Sequence, residues 1–335
     1  MMSKILTLGE VMLRFSTTEN MRLSESSQFE ANYGGGEANV AISLANYGHN
    51  VSFASKVPDN VLGTAVKSHL LKYGVEVSHL LIGGERLGSY YLEVGIGLRA
   101  SNVVYDRKYS SFAMIEDLEW NLDRLFENVS VFHISGITPA LSSEWRLNAL
   151  MLMREAKARG IAVSLDINYR GKLWTLEDCG NFVREAANYV DYLSAGHLDA
   201  LNFFNIENKL TTEEELQYFY SEIVKLYPEI KVIYSTTREI INANHNKLKG
   251  NLFLRGKLYY SQEYDIPYIV DRVGGGDAYA GGILHGILTN KKPEAIVEFA
   301  TVASAMKHTV HGDHNQFSKE EIEEIMKTGV KEIRR

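Results

Sequence analysis

The chain has 335 residues, 45% of them hydrophobic, and a formal net charge of −7. That length and apolar content suffice for one large α/β domain or two ordinary ones, and a negative balance without a Lys/Arg cluster speaks against nucleic acid or an anionic membrane as partner. Cys179 is the only cysteine, so no intrachain disulfide can form, and the apolar run in Met1 to Gly9 is too short for a signal peptide; with no segment as long as a membrane span, a reducing, cytoplasmic setting is expected.

Ile5 to Leu8 reads as a short buried strand, and the polar stretch that follows through Gln28 suits the strands of a lid. Tyr33-Gly34-Gly35-Gly36-Glu37-Ala38-Asn39 is a glycine run that opens a helix, with Val40, Ala41, Leu44 and Ala45 as its apolar face and Gly48 as its stop. Val51 to Val57 is expected as a strand, and Asp59 to Gly63 leads into a helix ending near Tyr73-Gly74. Ser89 to Val94 and Val103 to Tyr105 then form two strands joined by Gly95 to Ala100. That joint matches the dinucleotide fingerprint Gly-x-Gly-x-x-Ala in form, yet no helix follows to receive a pyrophosphate, so it reads as a hairpin turn.

The inserted strands carry Tyr90, Tyr91, Tyr105, Asp106, Arg107 and Lys108. A small sheet of this kind over an active site excludes water from a group transfer. Arg107 presents a planar fork that matches a carboxylate, although an ordinary exposed arginine on a lid is the simpler reading of the residue by itself.

Beyond this point strands and helices alternate. Val129 to Ser135, Ile161 to Ile167, Tyr189 to Leu193 and Val232 to Ser235 read as strands, Ser142 to Arg159 as a helix, and capping signals stand at Thr212 with Glu215 and at Ser318 with Glu321. Such a series gives a parallel sheet with helices on both faces, and ligands then sit beyond the carboxyl ends of the strands. The polar runs there, Ser135-Gly136-Ile137-Thr138 and Asp166-Ile167-Asn168-Tyr169-Arg170, are therefore candidate site residues. The hydroxyls of Ser235, Thr236 and Thr237 can donate to phosphate oxygens.

In Asp271-Arg272-Val273-Gly274-Gly275-Gly276-Asp277, three glycines stand directly before an aspartate, and Ala280, Ile283, Leu284, Ile287 and Leu288 continue at helical spacing. Residues without a Cβ let backbone N–H groups approach a ligand closely, and the helix N-terminus adds partial positive charge, so the run suits a phosphate. Asp277 is then either a helix cap or a base placed to take a proton from an attacking hydroxyl. His308, His311 and His314 are spaced by three, but Gly312 interrupts them and the spacing matches no zinc motif. The chain also lacks the Gly-x-x-x-x-Gly-Lys-Ser/Thr run of a P-loop kinase.

Both glycine runs, in this order, resemble the two signatures of the ribokinase-like carbohydrate kinases. The first is similar to Gly-Gly-x-x-x-Asn followed by a small-residue helix, and the second to Gly-Ala-Gly-Asp, with Gly275 in place of the alanine. The resemblance implies one α/β domain over residues 1–335, a mostly parallel central sheet with helices on both faces, and a small β lid in segments 12–33 and 89–112. It makes Asp277 the general base and Gly274, Gly275 and Gly276 the anion hole. Gly35, Gly36 and Asn39 become sugar contacts.

Ser135 to Leu141 and Asp166 to Trp174 further resemble the branch that phosphorylates 2-keto-3-deoxygluconate. By that likeness Tyr91, Tyr105, Arg107, Ile137, Arg170 and Asp313 would face a sugar acid, while Asn168, Arg170, Ser235, Thr236, Thr237, Gly274 and Gly276 would face the nucleotide. ATP with nucleotide-borne Mg²⁺ is implied, as is a homodimer or higher homo-oligomer through the lid. The Asn-x-x-Glu run that relatives tie to magnesium is absent at Ser194-Ala195-Gly196-His197, so no metal ligands are assigned. A monovalent cation and the choice between gluconate- and galactonate-derived substrates stay open. The alternatives are a fructokinase or other neutral-sugar kinase, and a non-catalytic sugar-binding protein on the same fold.

Overall fold

All of Ile5 to Leu8 is buried, because β1 (Lys4–Leu8) runs through the middle of the main sheet and meets a helix layer on each face. A computed structural model describes residues 4–18, 21–207 and 215–329 of the chain. The chain continues through β2 (Met12–Thr17), β3 (Phe29–Gly34), α1 (Gly36–Asn46), β4 (Asn50–Val57), α2 (Val61–Lys72), β5 (Leu80–Ile82), β6 (Ser89–Glu93), β7 (Asn102–Asp106), the short α3 (Leu122–Leu125) and β8 (Val129–Ser135). After them come α4 (Ser143–Ala158), β9 (Ala162–Asp166), α5 (Leu176–Ala186), β10 (Tyr192–Ser194), α6 (His197–Phe203) and α7 (Glu215–Leu226). The last third holds β11 (Val232–Asn242), β12 (His245–Leu254), β13 (Lys257–Ile266), α8 (Gly275–Leu288), α9 (Pro293–Lys307) and α10 (Lys319–Thr328).

Among the described residues the main sheet has nine strands in the order β13-β12-β11-β10-β9-β8-β1-β4-β5. Pairing is parallel from β11 to β5 and antiparallel through β11, β12 and β13. One face packs Trp145, Leu152, Phe182 and Phe219 from α4, α5 and α7; the other packs Val40, Val66, Ile283 and Ile296 from α1, α2, α8 and α9. The fold is the expected ribokinase-like one.

The second sheet has four strands in the order β3-β2-β6-β7, with β2 and β6 parallel and the outer pairs antiparallel. Its strands fall in the two expected lid segments, except that β3 runs on to Gly34. The joint after β6 is a hairpin, as its lack of a helix predicts. Its tip docks on the β11–β12 turn, with Gly97 N–H donating to Asn244 Oδ1 at 2.8 Å and Ala243 N–H to the Gly97 carbonyl at 2.9 Å.

The strand expected over Val232 to Ser235 runs on to Asn242, since β12 supplies a partner along its whole length. The strand expected from Tyr189 starts only at Tyr192, after a 3₁₀ turn over Ala187–Tyr189. The cap at Ser318 is present as a capping box, with Ser318 N–H donating to Glu321 Oε2 at 2.8 Å. The cap expected at Thr212 lies outside the described residues.

Candidate active site

Both glycine runs end as helix N-termini in one cleft. Gly35 caps α1 and Gly274 caps α8, and Asn39 Nδ2 donates to Asp277 Oδ2 at 2.7 Å between the two helices. The helices approach closely because Gly281 leaves room for the Ser43 side chain. Gly36 lies beside Asp277 Oδ1 and Asn168 Nδ2, at 3.7 and 3.8 Å from where a Cβ would stand. A side chain on Gly36 would therefore project between the carboxylate and the amide.

The turn before Asp277 is held from behind. Gly274 has a φ of 79°, a left-handed conformation that glycine adopts without cost, and a Cβ there would overlap the Asp313 carbonyl. The His308 ring fills the space beside Gly275, and Ser304 Oγ donates to the Gly275 carbonyl at 2.8 Å. Gly276 is exposed, and a Cβ there would meet no heavy atom of the described residues within 4 Å. An anion can reach that open side of the turn, where the first N–H groups of α8 lack intrahelical partners.

Burial raises the pKa of Asp277 to about 7; the Asn39 hydrogen bond opposes the rise, Asp166 adds to it, Arg170 opposes it and Glu37 adds to it. A half-buried carboxylate with that pKa is suited to accept a proton near neutrality. Burial likewise raises Asp166 to about 6, offset in part by Ser194 and Arg170. Asp199, whose Oδ2 accepts from Gly196 N–H at 2.7 Å, is raised by burial as well. Asp166 ends β9 and Asp199 stands in the first turn of α6, so both lie at the carboxyl edge of the sheet.

Among the described residues no three His, Cys, Asp or Glu side chains are grouped to hold a metal. The three tail histidines separate. His308 Nδ1 meets the Ser304 carbonyl at 2.6 Å, His311 lies 3.6 Å from Glu30, and His314 packs against Tyr73 and His69.

A cavity of about 380 Å³ extends from β7 to the loop after β9 and is lined by Tyr105, Arg107, Tyr169, Arg170 and Lys172 among others. The two arginines singled out from the sequence thus share one chamber. Arg107 is not a free surface residue: its Nη2 donates to Glu10, and Glu10 also accepts from Ser110 Oγ at 2.5 Å. Glu10 is 4% exposed and Arg107 6%, so the pair is buried at the chamber wall. Among the described residues Arg107 Nε has no hydrogen-bond partner.

Tyr91 is a correction. It stacks on Phe15 at 5.4 Å and packs edge-on against Phe29 on one lid face, whereas its neighbour Tyr90 lies on the other face, against Tyr105. Strand alternation decides this, because Tyr90 and Tyr105 are directly paired across β6 and β7. Asp313 differs from expectation too. It is 1% exposed and engaged by Tyr90 Oη and Arg14, so it ties the lid to the core.

The remaining candidates occupy the rim. Ile137 follows Ser135 in a loop gripped by Glu37, which accepts from Ser135 N–H at 2.9 Å, Ser135 Oγ at 2.7 Å and Thr138 Oγ1 at 3.1 Å. Ser235 Oγ is near Tyr220 Oη at 2.8 Å and accepts from Asn251 Nδ2 at 3.1 Å, and Thr237 Oγ1 accepts from the same amide at 3.0 Å. Thr236 lies between them with its neighbour two residues on, Arg238, on the same strand face. Burial, with the nearby Arg238, lowers the pKa of Arg272.

Arg238, Glu10, Glu37 and Arg14 escape the reading of the sequence. Only Arg238 left a signal, its place directly after the three hydroxyls.

Comparison with known proteins places this geometry in a family. The profile of the pfkB family carbohydrate kinases matches residues 2–320. A 2-dehydro-3-deoxygalactonokinase from Haloferax volcanii is 29% identical, with 98% of each chain covered. Among solved structures, a pfkB family carbohydrate kinase from Listeria grayi is 42% identical with a TM-score of 0.93, covering 96% of this chain and 99% of its own. A 2-dehydro-3-deoxygluconokinase from Thermotoga maritima is 37% identical with a TM-score of 0.93, covering 97% and 99%.

Proposed function

The chain belongs to the pfkB family of carbohydrate kinases and is a phosphotransferase, and from that premise we propose that it transfers phosphate from ATP to the terminal hydroxyl of 2-keto-3-deoxygluconate. The observation that carries the choice of a sugar acid is the chamber in which Arg107 and Arg170 stand together, with Asp277 reached through Arg170 and Asn168. Arg170 and the Nε edge of Arg107, beside the Nη2 that Glu10 holds, favour a carboxylate over a neutral sugar in that cavity.

In this reading the hydroxyl lies against Asp277, which takes its proton as the oxygen attacks, while the N–H groups at Gly274 to Gly276 and the α8 dipole stabilise the transferring phosphoryl oxygens. Asn39 orients the carboxylate, and Tyr105, Gly35, Gly36 and Ile137 bound the sugar. Arg238, Ser235 and Thr237 supply donors along the nucleotide. The donor set suits an ion carried on the phosphates rather than caged by protein, with Asp166 and Asp199 as the carboxylates that would face it. Magnesium, when bound, neutralises charge on the phosphates.

The galactonate-derived epimer is a second reading, favoured by the similarity to the Haloferax volcanii protein over nearly its full length. Coupled ADP release with both epimers, fructose and ribose tests the proposal. Turnover on a 2-keto-3-deoxy acid is expected; efficient turnover on a neutral sugar alone would overturn the sugar-acid reading.

A further inference from the structure

Arg14 is 1% exposed in the middle of lid strand β2, yet its charge is spent on the core. Nη2 donates to Asp271 Oδ2 at 2.6 Å, and Nε stands 3.2 Å from Asp313 Oδ1 without hydrogen-bond alignment. Asp313 also accepts from Tyr90 Oη on lid strand β6. Lys307 reaches the same cluster from α9, is 0% exposed and donates to the Asp271 carbonyl at 3.3 Å. Two cations and two carboxylates are therefore buried together with no net charge, and loss of any one leaves an uncompensated charge in a poor solvent for it.

Asp271 is also the residue that shapes the anion-hole turn. Its Oδ1 accepts from Val273 N–H at 3.0 Å and its Oδ2 from Gly312 N–H at 3.1 Å. Gly274 packs so closely on the Asp313 carbonyl that a Cβ would overlap it. Asp271 and Asp313 are thus both gripped by the lid and built into the turn that precedes Asp277.

We propose that Arg14 is a positioning residue that makes the geometry of the Gly274–Gly276 turn depend on the seating of the lid. This deepens the phosphotransferase reading. A kinase that sets its anion hole only under a seated lid limits transfer of the phosphoryl group to water, which would yield ADP and inorganic phosphate in place of sugar phosphate. A plain structural staple would tie down the lid without altering that partition.

The test uses Arg14→Met, Arg14→Lys and the milder Tyr90→Phe in the full-length protein. Without ligands, hydrogen exchange of Val273 and Ala278, whose N–H groups donate to Asp271 Oδ1 and the Gly274 carbonyl on either side of the turn, should quicken about tenfold or more in Arg14→Met, less in Tyr90→Phe, and stay near the wild-type rate in Arg14→Lys, while β8 and β9 are unchanged. With the sugar that the wild type phosphorylates, kcat should fall roughly tenfold at a KM for ATP within about twofold, and the ratio of inorganic phosphate to sugar phosphate should rise.

Unchanged exchange in this segment for folded Arg14→Met, or a loss confined to KM for sugar with the product ratio intact, would overturn the proposal. If Arg14→Met does not fold, Tyr90→Phe decides by the same two readouts. A wild type that phosphorylates no sugar refutes the functional reading instead, and the exchange measurement still judges Arg14.

Discussion

Asn39 on α1 donates to Asp277 on α8 at 2.7 Å, so each glycine run supplies one member of the pair at the cleft floor. The hydrogen bond favours the ionised carboxylate and holds its pKa, near 7, below what burial alone would impose. Asn39→Ala should move the acid limb of the kcat/KM profile up by about one pH unit, since a net hydrogen bond to a charged group is worth roughly 1.5–3 kcal/mol and part of it is recovered by water. A profile that stays in place would remove Asn39 from this role.

Asp277 also sets a pH dependence of stability. Its folded pKa, about 7, is raised above its ordinary 3.8, so the protonated form is the better tolerated in the fold. The contribution to stability is fully present below pH 3.8 and is lost as pH rises to about 7, after which the loss is complete. Asp277→Asn should therefore raise the melting temperature relative to wild type at pH 8 and leave it nearly unchanged at pH 4. Equal melting curves at pH 8 would contradict the burial of this charge.

Arg107 and Glu10 separate recognition from stability. Arg107→Ala should raise the KM for the sugar acid by roughly tenfold to a hundredfold through loss of a charge-assisted contact. It should also destabilise the fold by about 3 kcal/mol, because Glu10 stays buried without its partner. Adding Glu10→Gln should restore much of the melting temperature but none of the affinity. A KM for the acid that Arg107→Ala leaves unaltered would point to a neutral substrate.

Gly275 stands where the family signature carries alanine, and the His308 ring occupies the space that an alanine methyl would need. Gly275→Ala should lower kcat by about tenfold or more as the turn is displaced, and His308→Ala should recover most of it in the double variant. Additive losses in the two single variants would show that the ring and the glycine are not matched.

The residues that chemistry forces into fixed types and spacings were legible in the sequence. Gly34 to Asn39 and Gly274 to Asp277 each read as a helix start, as α1 and α8 are, and the alternation from Val129 onward read as a parallel sheet. The lid face that Tyr91 takes was not legible, because a one-residue register difference exchanges the faces of a strand and composition does not carry register. The extension of β11 to Asn242 was missed because Arg238 to Ile241 are exposed and show no alternation to read. Arg14, Glu10 and Glu37 were invisible for another reason. A charged residue in a sequence looks like surface, and only its partners, Asp271, Arg107 and Ser135, reveal that it is buried.

The most direct test of the account is the turnover of Asp277→Asn with 2-keto-3-deoxygluconate and MgATP, measured beside ATP binding by calorimetry. The substitution keeps the shape and the Asn39 neighbour but removes the base. We expect kcat to fall at least about a hundredfold while ATP binds as in the wild type. A rate within a few fold of wild type would contradict the role given to Asp277.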